Sequence, residues 1–274
     1  MPVISTNIAA NSAVRYLNQN SAAQTSSLSK LASGSRIVKA SDDAAGLAIS
    51  TRISSDVTTL TQAATNASHG ISILQTADGG ASNISDILQR MKALATQSAS
   101  GTVTDTERNY IDAEFQELTK EVDGIATGTR YNGKSLLDTS STFAAGLDVM
   151  VGSDAADTIT LTLDKLDSTT LGINALAVAS DTGASAALTA LDTAIDTVSK
   201  ARANIGALES RFDFQSASIA TSIENLSAAN SAITDTDVAA ESATLASAKV
   251  KTQAAVAAAA QASQMPQDLL KLLQ

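Results

Sequence analysis

The chain has 274 residues, 44% of them hydrophobic, with 14 Gly, two Pro, four Phe, three Tyr, no Trp and no Cys. The lack of cysteine excludes disulfides and thiolate metal sites, and the single histidine, His69, excludes zinc sites built on two or more imidazoles. Much of the apolar content is Ala, which buries little area per residue, so composition favours thin helix pairs over a thick core. No proline between Pro2 and Pro266 interrupts a helix.

The net charge of −10 is unevenly spread. Residues 1–41 carry Arg15, Lys30, Arg36 and Lys39 and no acid; residues 242–274 carry Lys249, Lys251, Lys271 and one acid, Asp268. The ends are therefore +4 and +2, which leaves −16 for residues 42–241. Such an acidic bulk repels nucleic acid and anionic membranes, so neither is an expected partner. The most apolar stretch, Ala254–Ala262, is too short to span a bilayer. The start, Met1 to Asn7, lacks a basic segment and an apolar run, which predicts export without a cleaved signal peptide.

In chain order, the first element is an under-filled helix. Val14, Leu17, Leu28 and Leu31 follow heptad spacing, with Ser21 and Gln24 at the intervening seam positions. Asp42-Asp43 could be read as a catalytic acid pair. The simpler reading is that Ser41 caps a helix beginning near Ala44, with two acids on its first turn. A long heptad then runs through Ile53, Leu60, Ala67, Leu74, Ala81, Leu88 and Ala95. A seven-residue period sustained this far predicts a long helix packed along a shallow left-handed seam. Ser98–Thr104 reads as a turn. A third helix is predicted over 105–125, with Ile111, Phe115, Leu118, Val122 and Ile125 on one face, Thr104 or Asp105 as cap and Glu107 in the first turn.

The centre changes period. Leu147, Val149 and Val151 alternate, as do Ile159, Leu161 and Leu163, with Gly152–Asp157 between them, the pattern of a β-hairpin. Residues 164–187 are rich in Ser, Thr and Ala and read as irregular surface structure. A second rod follows at strict sevens through Leu191, Val198, Ile205, Phe212, Ile219, Leu226 and Ile233. Val238 and Leu245 begin a last seam that continues through Thr252, Ala259 and Ala262. Neither end can bury enough by itself to offset its ordering entropy. The predicted fold is mainly α: long antiparallel rods in a nested hairpin, with a small central β-hairpin.

Several segments resemble bacterial flagellins. Leu31-Ala32-Ser33-Gly34-Ser35-Arg36-Ile37, followed by Ser41 to Ile49, is similar to that family's N-terminal motif. Gly70 to Gly79, Leu88-Gln89-Arg90-Met91 and Arg130 to Leu137 follow in the family's order. Ala201 to Ala207 and Pro266 to Leu273 resemble its C-terminal half. His69, Ser263 and Ala232 depart from the residues usual at those places, and none of them touches the heptads. Only about 50 residues separate the halves, which implies a short form without the large variable outer domains.

The resemblance implies a non-enzymatic subunit, without cofactors, that polymerises into a flagellar filament outside the cell. Residues 1–45 with 236–274 would form an inner tube, through Leu17, Leu28, Leu31, Leu245, Leu269 and Leu272. Residues 46–187 with 188–235 would form a rod domain packed through Ile53, Leu60, Leu74, Leu88, Leu191, Val198, Ile205, Phe212, Ile219, Leu226 and Ile233. Implied partners are further copies of the chain, sister flagellins, the filament cap, hook-junction proteins, an export chaperone and a host innate receptor. The family's receptor contact maps to Arg90, Leu94 and Glu114. Ordering of the ends would be coupled to assembly at the filament tip.

Alternatives are narrower. A hook–filament junction protein shares such ends but usually departs more from the 42–49 motif. A protease-bearing flagellin would need His-Glu-x-x-His, absent here, and a longer centre. A generic coiled-coil adhesin would not require paired, acid-poor ends. Ser and Thr in 139–187 read either as loop polarity or as sites for O-linked glycans. The triplets Asn66-Ala67-Ser68, Asn83-Ile84-Ser85 and Asn225-Leu226-Ser227 match the N-glycosylation pattern but fall on predicted rods.

Overall fold

The computed structural model describes the backbone of residues 7–272 and the side chains of 7–264. Five helices and two small hairpins follow one another: α1 (Ile8–Ser33), α2 (Ala44–Ser98), α3 (Asp105–Gly128), β1 (Arg130–Tyr131), β2 (Lys134–Ser135), β3 (Leu147–Met150), β4 (Thr158–Leu161), α4 (Asp181–Thr234) and α5 (Val238–Leu272). The fold is mainly helical with a central antiparallel β3–β4 pair, as expected from periodicity, and a further antiparallel β1–β2 pair. The chain divides into two compact units, one of residues 1–55 with 225–274 and one of residues 56–224. The sequence reading places its divisions at 45/46 and 235/236, close to loops; the compact units are delimited inside α2 and α4.

In the unit 56–224 the heptads form the core. Leu60, Ala67, Leu74, Ala81, Leu88 and Ala95 of α2 are buried, as are Leu191, Val198, Ile205, Phe212 and Ile219 of α4. Where Gly70 of α2 meets Phe212, a Cβ would lie 2.9 Å from the ring, so only glycine admits the aromatic there. Two ion pairs flank this seam. Arg202 of α4 donates from Nε to Asp78 Oδ1 at 2.9 Å, and Lys92 pairs with Asp192. Its hydrogen bonds to the Asp78 carboxylate push the Arg202 pKa above its ordinary value.

α3 buries Ile111, Phe115 and Val122. Its start is set by Glu107, whose carboxylate accepts from the Thr104 N–H at 2.8 Å and from the Thr104 hydroxyl at 2.9 Å. Asp112, Gln116 and Asp123, all near one face of the helix, hold the segment that follows β4. Asp112 accepts from Val178 N–H (2.7 Å), Gln116 donates to the Leu176 carbonyl (2.9 Å), and Asp123 accepts from the Ser168 N–H and hydroxyl (2.8 Å each).

The centre differs from the sequence reading in three ways. First, residues 164–180 are irregular but not merely superficial: Leu166, Leu171, Ile173 and Val178 are buried. Backbone groups of Ser168, Leu176 and Val178, with the Ser168 hydroxyl, bond to α3, which satisfies the backbone that irregular structure leaves open. Second, α4 starts at Asp181, not near 188. Third, the β1–β2 hairpin lies between α3 and the predicted strands. Its turn, Asn132-Gly133, has φ of +50° and +76°, the conformation that Asn-Gly favours in tight hairpins.

At the start of α2 the cap is Asp43, not Ser41. Asp43 Oδ1 accepts from Gly46 N–H at 2.8 Å. Asp42 turns back instead, its Oδ2 accepting from Val38 and Lys39 N–H at 3.1 and 2.9 Å. Those backbone donors, first that of Lys39, hold the Asp42 carboxyl below its usual pKa.

Candidate assembly surface

The unit built from the two ends of the chain has an unusual distribution of side chains. α1 is capped by Asn7, whose Oδ1 accepts from Ala10 N–H at 3.0 Å. The same side chain donates from Nδ2 to the Ala262 carbonyl of α5 at 2.6 Å. α1 packs along α5, and apart from Leu17, Leu31 and Leu245 the contact is made of small and polar residues. On α1 the less exposed positions include Ala10, Ala13, Leu17, Asn20, Gln24, Ser27 and Leu31, spaced alternately by threes and fours, with Ser12, Ser29 and Lys30 half-buried beside them. On α5 they are Glu241, Leu245, Ala248, Thr252, Ala255, Ala259 and Ala262, in the same alternation.

Apart from Leu17, Leu31 and Leu245, the larger apolar side chains of α1 and α5 lie outside this seam. Val14 is 47% and Leu28 57% exposed on α1; Val250 is 63% and Val256 52% exposed on α5. The register expected from sequence therefore splits in two. Leu17, Gln24 and Leu31 belong to the α1–α5 seam, whereas Val14, Ser21 and Leu28 face outward. Leu245 is half-buried in the seam and Val238 is 60% exposed. Leu269 and Leu272 lie outside the described side chains.

A clasp joins the loops that follow α1 and α4. Arg36 N–H donates to the Thr234 carbonyl at 2.6 Å, Thr236 N–H to the Gly34 carbonyl at 3.1 Å, and the Arg36 guanidinium to the Ile233 carbonyl at 2.8 Å. Ser35 and Asp235 form an isolated antiparallel bridge. Gly34, at φ +72°, ends α1 in the left-handed conformation that lets the chain turn into this clasp.

Of the thirteen large apolar side chains exposed among the described residues, nine lie in this end unit: Ile8, Val14, Tyr16, Leu28, Val38, Ile49, Val238, Val250 and Val256. Surface apolar residues are ordinary when scattered. A helix pair that buries Ala and Ser while presenting Val, Leu, Ile and Tyr has its order reversed, which marks a contact surface.

The other residues singled out in the sequence are placed as follows. Arg90 and Glu114 form an exposed ion pair at 2.6 Å between α2 and α3, while Leu94 is only 2% exposed. His69 Nδ1 lies 3.1 Å from the Tyr131 hydroxyl. The three Asn triplets are all helical, and the Asn66 amide donates to the Met150 carbonyl at 3.1 Å. No group of three or more His, Cys, Asp or Glu suited to a metal ion occurs among the described residues, and no described helix is long and apolar enough to cross a membrane.

The family described as the bacterial flagellin N-terminal helical region matches residues 4–142, and the bacterial flagellin C-terminal helical region matches residues 188–273. The chain belongs to the bacterial flagellin family. The flagellin of Listeria monocytogenes is 38% identical over 98% of this chain and 99% of its own length. Among solved structures, the Bacillus cereus flagellin is 33% identical with a TM-score of 0.51, covering 57% of this chain and 88% of that one. A flagellar hook-associated protein of Vibrio parahaemolyticus shares the fold alone, at 16% identity and a TM-score of 0.59 over 70% of this chain and 99% of that one. As a flagellin, the chain is a structural protein of the flagellar filament and not an enzyme.

Proposed function

We propose that this flagellin polymerises through its end unit, and that the outward apolar side chains on α1 and α5 are covered by further copies of the chain. The observation that carries this reading is the reversed order of α1 and α5, with Ala and Ser inside and Val14, Leu28, Val250 and Val256 outside. Covering one such side chain contributes about 1.5–3 kcal/mol, and each copy offers several. Because each copy gives one face and receives another, the contact does not close, and an open helical polymer results. Residues 1–45 with 236–274 form the inner tube in this reading, using Leu17, Leu28, Leu31, Leu245, Leu269 and Leu272. Residues 46–235 form the next shell, with the heptads from Ile53 to Leu88 and from Leu191 to Ile233 holding the rods. Ordering of the end helices accompanies docking at the growing tip.

The test is Val250→Asp in the full chain. Val250 is exposed in the single molecule, so thermal unfolding should be unchanged. After induced polymerisation the variant should stay in the supernatant while the parent sediments as filaments. Normal filaments from the variant would refute the reading.

In the same reading the chain is exported without signal-peptide cleavage to lie outside the cell. There it meets sister flagellins, the cap and the hook-junction proteins, having been escorted by an export chaperone. The exposure of Arg90 and Glu114 favours them as the surface offered to a host innate receptor, with Leu94 as packing beneath. A reporter assay should lose its response to monomer on Arg90→Ala with Glu114→Ala.

A further inference from the structure

Charge divides the flagellin as sharply as hydrophobicity does. Residues 56–224 carry 22 carboxylates and 10 basic side chains, a net charge of −12, whereas residues 1–55 with 225–274 carry 6 and 8, a net charge of +2. Copies set side by side in a polymer bring −12 units together, and such units repel. Local attraction within each such unit would offset part of that repulsion. Five of the ten basic side chains do not offer it, because Arg90, Lys92, Arg108, Lys120 and Arg202 are already in ion pairs with acids of their own chain.

Lys165 and Lys200 have no ion-pair partner among the described residues, and they line the same open cleft of about 410 Å³. Lys165 comes from the segment after β4. Lys200 stands on α4 between Thr197 and Asn204, and the spacing i, i+3, i+7 puts the three on one helix face. The remaining polar groups are already engaged. Asn204 donates to Asp164 Oδ2 at 3.2 Å, the Thr197 hydroxyl to the Thr193 carbonyl at 2.8 Å, and the Thr170 hydroxyl to Asp167 Oδ1 at 2.6 Å. What the cleft offers a visitor is two ammonium groups, each with three donors, beside one carboxylate, Asp164, which is already engaged by Asn204.

We propose that this cleft is a socket for an Asp or Glu side chain from the acidic unit of a second copy. The occupant follows from charge complementarity: a neighbouring copy presents surplus carboxylates, and each copy carries both socket and acid. The inference rests on the polymer proposed above but concerns a different surface, far along the sequence from the end helices.

The experiment compares three full-length proteins in induced polymerisation: the parent, Lys165→Gln with Lys200→Gln, and Lys134→Gln with Arg211→Gln. The last removes the same charge from cations of the same unit that also lack ion pairs among the described residues. Circular dichroism should be alike for all three. At low salt the Lys165/Lys200 variant should show a critical concentration roughly tenfold above that of the control variant. The gap should close as salt is raised toward about 1 M, where exposed charges are screened. Equal critical concentrations for the two variants would overturn the socket and leave only a net-charge effect. Glutarate binding to the monomer through these lysines, with polymerisation unaffected by their loss, would reassign the cleft to small anions and overturn it as well. Failure of the parent itself to polymerise would refute the filament reading, and the socket would fall with it.

Discussion

Phe212 and Phe214 stand two residues apart on α4 at opposite extremes of exposure. Phe212 is fully buried with its ring against Gly70 of α2, whereas Phe214 is 79% exposed. A helix turns about 100° per residue, so two steps carry a side chain from the seam to the far face.

Phe212→Ala should therefore cost about 3–5 kcal/mol of stability, through lost burial and the cavity left behind. Phe214→Ala should shift stability by no more than about 0.5 kcal/mol. Denaturant unfolding of the monomer measures both. Equal costs would contradict the seam.

The start of α3 should respond to acid. The Thr104 N–H and hydroxyl bonds hold the Glu107 carboxyl below its usual pKa. A carboxylate with a lowered folded-state pKa contributes stability that is fully present above its unfolded value. That contribution is lost as pH falls through the lowered value. Hydrogen-exchange protection at the first turn of α3 should thus decline as pH drops below the ordinary glutamate range. In Glu107→Gln that part of the pH dependence should be absent.

The Asn132-Gly133 turn should tolerate little change. Gly133 sits at φ +76°, where an L side chain costs roughly 1–2 kcal/mol. Gly133→Ala should lower the stability of the unit 56–224 by about that amount, read from its thermal midpoint. Gly101, exposed and without positive φ, provides the comparison, and alanine there should be near neutral.

Arg202 and Asp78 are each 40% exposed, so water screens their pair. Asp78→Asn should cost less than about 1 kcal/mol at low salt, and the cost should shrink as salt rises. Arg202→Lys should not preserve the full interaction, because Nε and Nη2 of the guanidinium reach the two carboxylate oxygens together at 2.9 and 3.3 Å.

Much of this fold was legible in one dimension because helix packing writes a period into the chain. The sevens from Leu60 to Ala95 and from Leu191 to Ile219 name buried residues correctly, and the alternation at 147–151 and 159–163 marks a real hairpin. Paired, acid-poor ends and the family motifs were equally readable, since neither needs a partner to be recognised. Two features were not, because each depends on residues distant in sequence. Residues 164–180 look like polar loop until Asp112, Gln116 and Asp123 of α3 supply their bonds. On α1, the Val14–Ser21–Leu28 and Leu17–Gln24–Leu31 rows are equally apolar as strings of letters. Only packing against α5 decided which row turns inward and which is left for another molecule. Periodicity is a local property of a helix, but the choice between two similar faces is made by whatever lies against them.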